Sequence, residues 1–210
     1  MFDAGVLTFK EFAMREPLPL ATLQNAVLEF LRGRDDAVVS GAQAVNAYVD
    51  EPRMTRDIVL LSTRAEALAK ELQQYLKNRF HVAIRTRKVG ASGGFRVFQV
   101  RKSGNRQLVD IRFVAAMPPA KRISQILVLA PEDLIASKVI AYFHRRGQPK
   151  SGTDWRDLAM LLLAFPEFKR NPEIVSERLE AAGADVAVLS LWKELANQEI
   201  EPGEADDKFF

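Results

Sequence analysis

The residues best suited to chemistry in this 210-residue chain are a Ser-Gly turn, two aspartates at apolar runs, and a lysine with a later pair of aspartates. Asp57 opens the run Ile58 to Leu61, and strand alternation sets Asp57, Val59 and Leu61 on one face. In Gln107 to Phe113 it sends Val109, Ile111 and Phe113 to the core and sets Leu108, Asp110 and Arg112 on the other face. Carboxylates on strands are hard oxygen ligands of the kind Mg²⁺ takes. The plainer alternative is a pair of strand-edge acids matched with Arg56 and Arg112. Ser40-Gly41 follows the apolar pair Val38-Val39 and precedes a small-residue helix pattern. Such a turn lets backbone amides and a helix N-terminus approach phosphate, with Ser40 adding a hydroxyl, or it simply reverses the chain. Arg53 and Thr55 either orient the loop before Asp57 or contact phosphate. Lys138, Tyr142 and Arg145 share a helix face by their i, i+4, i+7 spacing, as do Asp154 and Asp157 at i, i+3. Taken by themselves, these helical residues suggest an interhelical ion pair at Asp157 and an acid at a positive helix end at Asp154.

The elements that must hold these residues follow from periodicity. Leu20 to Leu31 has helical spacing and stops at Gly33. Val38-Val39 begins a strand, Ala42 to Tyr48 a helix, and Ile58 to Leu61 a second strand. Ala65 to Leu76 predicts a helix that closes at Lys77-Asn78-Arg79, and Phe80, Val82 and Ile84 then alternate as a strand. Strands are predicted over Phe95 to Val100, Leu108 to Val114 and Gln125 to Leu129, with turns at Gly90 to Gly94 and Ser103-Gly104-Asn105. From Pro131 the pattern is helical: Pro131-Glu132-Asp133 starts Leu134 to Arg146, Gly147 to Gly152 is a loop, and Thr153 caps a helix to Ala164. Two more helices are predicted over Pro172 to Ala182 and Ala184 to Ala196. The expected fold class is α+β, with a mixed sheet and flanking helices over residues 1–129, a helical region over 130–198 and an acidic tail over 199–210.

Hydrophobic residues make up 48% of the chain, so a packed core is expected and global disorder excluded. A net charge of +3 is too small to require a nucleic-acid partner. The basic residues Arg85, Arg87, Lys88, Arg96, Arg101, Lys102 and Arg106 do concentrate in the middle strands, facing either a nucleic-acid backbone or solvent. There is no cysteine, which removes disulfides and thiolate metal sites and is consistent with a cytoplasmic location. No run approaches the ~20 apolar residues of a membrane span, and MFDAGVLTFKEF does not read as a secretory signal. His81 and His144 lack a second ligand at metal spacing, and Trp155 and Trp192 read as core anchors.

The stretch Val38 to Leu61, with Ser40-Gly41, Arg53, Thr55 and Asp57, resembles the nucleotidyltransferase superfamily, and within it the abortive-infection AbiEii type. Pro131-Glu132-Asp133-Leu134-Ile135-Ala136-Ser137-Lys138 and Asp154-Trp155-Arg156-Asp157-Leu158 resemble that family's helical segments, so the likeness covers most of Val38 to Leu163. It implies transfer of a nucleotidyl group from a nucleoside triphosphate, with Mg²⁺, to an unknown acceptor such as tRNA, a protein hydroxyl or a small molecule. By carry-over Asp57 and Asp110 are metal ligands, and Ser40, Gly41, Arg53, Thr55 and Lys138 contact the nucleotide. Lys138 and Asp154 (or Asp157) join Asp57 and Asp110 in catalysis. The family pattern has an acid two residues after Asp57, where this chain has Val59. Valine cannot ligate a metal, so weak or lost activity is one expectation. The alternative is a non-catalytic member that binds a nucleotide or a partner protein, such as half of a toxin-antitoxin pair.

Overall fold

The computed structural model describes residues 19–90, 92–102 and 104–201. The amino-terminal segment, Ala91 and Ser103 of the two expected turns, and the acidic tail beyond residue 201 lie outside the described residues.

Helix α1 (Leu20–Leu31) buries Leu23, Ala26, Val27 and Leu31, one face at three- and four-residue spacing. Gly33 ends it at φ +73°, donating its N–H to Gln125 O at 2.9 Å. Strand β1 (Val38–Ser40) runs into a short helix α2 (Gly41–Asn46), and β2 (Ile58–Ser62) follows an extended loop. Helix α3 (Ala65–Phe80) buries Ala65, Leu68, Ala69, Leu72 and Leu76. Strands β3 (Ile84–Val89), β4 (Gly94–Gln99), β5 (Arg106–Phe113), β6 (Ala120–Ile123) and β7 (Ile126–Leu129) complete the sheet. The helices after it are α4 (Pro131–His144), α5 (Pro149–Ala164), α6 (Glu167–Arg170), α7 (Glu173–Ala181) and α8 (Val186–Asn197).

The seven strands form one mixed sheet in the order β3-β4-β5-β2-β1-β7-β6. β2 lies between β1, antiparallel to it, and β5, parallel to it. Parallel neighbours need a long crossover, and between β2 and β5 it carries α3 and the β3–β4 hairpin. Ile58 and Leu60 of β2 and Val109 and Ile111 of β5 are fully buried, as the alternation requires. α4 is the hub of the helical region and packs against α2, α5, α7 and α8. One buried apolar cluster runs from Leu23 through Ile58 and Leu68 to Leu134, Leu158 and Trp192. Each fully buried leucine in it contributes about 1.5–3 kcal/mol of transfer free energy. Together these make the fold an α+β mixed sheet with flanking helices, as the periodicity predicts.

Several features differ from expectation, β6 and the short α6 among them, since the periodicity predicts neither. α3 continues to Phe80, and the chain turns at His81 in the left-handed conformation, so the Phe80-Val82-Ile84 alternation is not a strand. Phe80 packs half-buried from the last helical turn, and Gln73 Nε2 donates to Ile84 O at 2.7 Å, fixing where β3 begins. β3 itself carries Arg85, Arg87 and Lys88, whose charges hide its period. As an edge strand it tolerates them, and they discourage pairing with another chain. α5 starts at Pro149 rather than at Thr153, because proline at the first helical position presets the backbone there. Phe113, expected in the core, is 48% exposed at the last position of β5. Of the two tryptophans, Trp192 is fully buried and donates to Pro172 O at 2.9 Å, while Trp155 is half-buried against Tyr142.

Gly41 is held at φ +68°, and a Cβ there would meet Val59 Cγ2 at 3.2 Å. Gly41→Ala therefore combines left-handed strain with a tight contact. It should cost about 1–2 kcal/mol, read as a lower midpoint in urea unfolding.

Candidate functional site

The sheet register assembles the strand-borne candidates into a row. Ser40 pairs with Val59, Val59 with Asp110, Asp110 with Arg96, and Arg96 with Arg87. Partners directly opposite in a ladder point to the same side, so these five side chains share the face away from Ile58, Leu60, Val109 and Ile111. Gly41 backs onto Val59 from the end of β1, so the Ser-Gly turn and the two strands meet at one place. Val59, not Asp57, is level with Asp110. Asp57 precedes β2 by one residue and is offset by about two residues, or ~7 Å, along the strand.

Each acid already has partners. Asp110 accepts from Arg96 Nε at 3.3 Å and Arg112 Nε at 3.4 Å, with its side chain 16% exposed. Arg112 is the arginine expected beside it; Arg96 comes from the neighbouring strand. Asp57 accepts a short hydrogen bond from Gln107 Nε2, not a bond from Arg56. The two further acids that could complete a metal site sit elsewhere. Asp154 accepts from Arg145 Nη1 at 2.6 Å and lies 3.8 Å from Lys138 Nζ. Glu132 stands near Tyr48, where burial and then its charge push the phenol up to about 12. Among the described residues no group of three or more His, Asp or Glu is placed to hold a metal ion. With valine at position 59 and arginines on Asp110, the side chains present do not fit a two-ion, three-carboxylate centre.

The helical candidates form a second cluster at the α4–α5 seam. Lys138 Nζ donates to Asp157 Oδ2 at 2.5 Å, and both side chains are buried. Arg53 donates to the same carboxylate with both ends of its fork, Nε to Oδ1 at 2.6 Å and Nη2 to Oδ2 at 2.7 Å. The i, i+4, i+7 face of α4 is one face in contact with α5: Lys138 meets Asp157, Tyr142 meets Trp155, and Arg145 meets Asp154. Burial works to raise the Asp157 carboxyl, but the Arg53 hydrogen bonds and the Lys138 charge overcome it and hold it below the usual aspartate range. Arg53 is raised in turn, first by its hydrogen bonds to Asp157.

That depression fixes a sign. A carboxyl with a lower pKa folded than unfolded contributes stability above the unfolded value and loses it as pH falls through the folded one. The unfolding midpoint should therefore drop below about pH 4, and Asp157→Asn should flatten that acid limb. Asp36, drawn down by the Arg34 hydrogen bond against its burial, adds to the same limb. Thermal unfolding across pH 2–6 in both proteins checks it.

The loop from Glu51 to Asp57 is fixed by residues that the sequence did not flag. Asn46 exchanges two hydrogen bonds with the backbone of Arg53, at 2.8 and 3.0 Å. Gln24 Nε2 donates to Thr55 O at 3.0 Å and to its hydroxyl at 3.3 Å, and that hydroxyl donates to Gln43 Oε1 at 3.4 Å. Thr55 and Arg53 thus orient the loop, one of the two roles their types allowed. Gln24, Gln43, Asn46 and Gln107 are neutral amides scattered over three elements, and no spacing rule links them before the fold does. Of the basic residues, alternation and register place Arg85, Arg87, Arg96 and Arg112 on the outer face with Asp110, whereas Lys88 pairs with Phe95 on the other side. Arg87, Lys88, Val89, Gly90, Arg96 and Phe98 line a shallow depression at the β3 edge.

The sequence profile of one protein family, described as nucleotidyl transferase AbiEii toxin of a type IV toxin-antitoxin system, matches residues 25–209. No curated protein matches the sequence. Among solved structures, JHP933 from Helicobacter pylori is similar at TM-score 0.52 and 18% identity, over 91% of this chain and 90% of that one. The Megavirus polyadenylate synthase is similar at TM-score 0.57 and 13% identity, over 73% of this chain. This chain spans 34% of the length of that synthase, and likeness at such identities is a likeness of fold. No helix among the described residues is long and apolar enough to cross a membrane.

Proposed function

Because the chain belongs to the AbiEii nucleotidyltransferase toxin family, matched over residues 25–209, we propose that it binds a nucleoside triphosphate across the row Ser40, Val59 and Asp110 and transfers its nucleotidyl group slowly. The observation that carries this is the register itself, which brings the Ser-Gly turn, the Val59 position and Asp110 to one place. In this reading Ser40 and Gly41 meet the phosphates, and Asp57 and Asp110 flank the reacting one. Arg53 and Thr55 hold the loop, and Lys138 with Asp154 supports the site from the α4–α5 seam. Mg²⁺ enters only as the ion that accompanies the triphosphate, since the donor set lacks its third carboxylate. The acceptor is an RNA: Arg85, Arg87, Arg96 and Arg112 share a face with Asp110, and such a stripe matches a phosphate backbone. The work is cytoplasmic, and a cognate antitoxin protein controls it.

A second reading, nucleotide or partner binding without transfer, is favoured by Val59 and by the two arginines on Asp110. Calorimetric titration with each triphosphate, and transfer assays with labelled triphosphate and cellular RNA, separate the two. Binding with slow labelling of RNA supports the first, and binding with no labelling supports the second. RNA affinity should fall with salt, and Arg87→Ala or Arg96→Ala should reduce the log–log slope by about 1 each. A slope unchanged by both would remove the stripe from RNA contact.

A further inference from the structure

Four alternate residues of the loop before β2 are tied to four elements of the fold, two of them to one helix. Glu51 O accepts from Arg156 Nη2 of α5 at 3.2 Å, and Arg53 forks onto Asp157 of the same helix. Thr55 is held by Gln24 of α1 and Gln43 of α2, and Asp57 by Gln107 of β5. The residues between them, Pro52, Met54 and Arg56, are exposed. The segment behaves as a strap stretched from the helical region to the sheet. Consecutive residues of α5 grip it with opposite polarity, Arg156 as donor and Asp157 as acceptor.

We propose that Asp157 is a positioning residue of the nucleotide site: it acts through Arg53 to fix the strap that sets Asp57 beside β5, and does not touch the nucleotide. This rests on the reading of the site given above. Both carboxylate oxygens of Asp157 are engaged, by the Arg53 fork and by Lys138, and the side chain is fully buried. A carboxylate so enclosed has no edge left for a substrate, while a bidentate fork transmits orientation because it permits one relative geometry. The amides that finish the strap reach it from α1, α2 and β5, so loss of the Arg53 fork loosens the helical end, leaving it to Arg156 at Glu51 and Asn46 at the Arg53 backbone, while the sheet end stays held.

The test compares wild type, Arg53→Gln, Arg53→Lys, Asp157→Asn and the double variant Arg53→Gln/Asp157→Asn. Hydrogen exchange of amides 51–57 and triphosphate affinity by calorimetry are the two readouts. The expected result is faster exchange in the strap for every variant and a loss of affinity of about tenfold in Arg53→Gln and Asp157→Asn. The double variant should be no weaker than the weaker single, because both break one link. Arg53→Lys keeps the charge but loses the fork, so it should loosen the strap and bind less tightly. A double variant that loses the product of the single losses, about a hundredfold, would mean that Asp157 meets the nucleotide by itself and would overturn the proposal. So would Arg53→Lys with wild-type affinity, or unchanged exchange in Arg53→Gln. Should Asp157→Asn fail to fold, the two Arg53 variants still decide. A wild type that binds no triphosphate while Arg53→Gln loosens the strap would overturn the reading of the site and leave the clamp itself standing.

Discussion

Val59→Asp is expected to raise nucleotidyl transfer by about 10²–10³-fold, the size of effect that loss of one preorganised transition-state contact has in an active site. The register argues for this position above any other. Val59 is the direct cross-strand partner of both Ser40 and Asp110, so a carboxylate there stands between the turn and the second acid, one pleat from Asp57. Three carboxylates would then face one place, the donor set that the family pattern has and this chain lacks. The added negative charge is offset by Arg96 and Arg112, whose contacts to Asp110 are long and partly exposed and can be redirected at little cost. Aspartate and valine are near in volume, so the contact with Gly41 survives. The measurement uses labelled triphosphates with Mg²⁺ or Mn²⁺ and cellular RNA or protein as acceptor. Asp57→Ala in the Val59→Asp background should return activity to background. Efficient labelling by the wild type, with no gain in Val59→Asp, would show that another residue already fills this role.

The legibility of this site divides by the range of its contacts. Asp57, Asp110 and Ser40-Gly41 are readable because alternation and turn chemistry are local, and Ser40, Val59 and Asp110 take one face as the period requires. The offset of Asp57 from Asp110 is not readable, because register between strand residues 51 apart in sequence is set by packing and leaves no mark in either strand. Phe113 satisfied the same alternation as Ile111 and still ended half exposed, since period fixes the face but not whether anything covers it. β3 was hidden for the opposite reason. An edge strand can carry Arg85, Arg87 and Lys88, so its composition resembles a loop. Lys138 and Asp157 announced an ion pair by their spacing, but the third member, Arg53, comes from 104 residues away in sequence.

Removing the acid that joins those three should have the largest effect on stability. Asp157→Ala leaves Lys138 buried with only Asp154 at 3.8 Å, and leaves the Arg53 fork without an acceptor. An uncompensated buried charge costs about 3–5 kcal/mol, a large share of a single domain's stability. Asp157 is fully buried and Lys138 is 8% exposed, so solvent screening takes little from that figure. Arg53, 23% exposed, can turn toward water and is the lesser part of the loss. The physical cause is desolvation rather than the attraction itself, and this separates two variants. Lys138→Met should cost less than Asp157→Ala, because Asp157 keeps both bonds of the Arg53 fork. Lys138→Met with Asp157→Leu removes both buried charges and should regain most of the loss, since apolar replacements of a buried pair are often neutral. Urea unfolding of the three proteins gives the order. Asp157→Ala within about 1 kcal/mol of wild type would mean that water reaches Lys138 and that the cluster is not dry. The double variant has a second use. Its stability restored, it still lacks the acceptor for Arg53, so faster hydrogen exchange of amides 51–57 in that folded protein would separate the ordering of the strap from the stability of the fold.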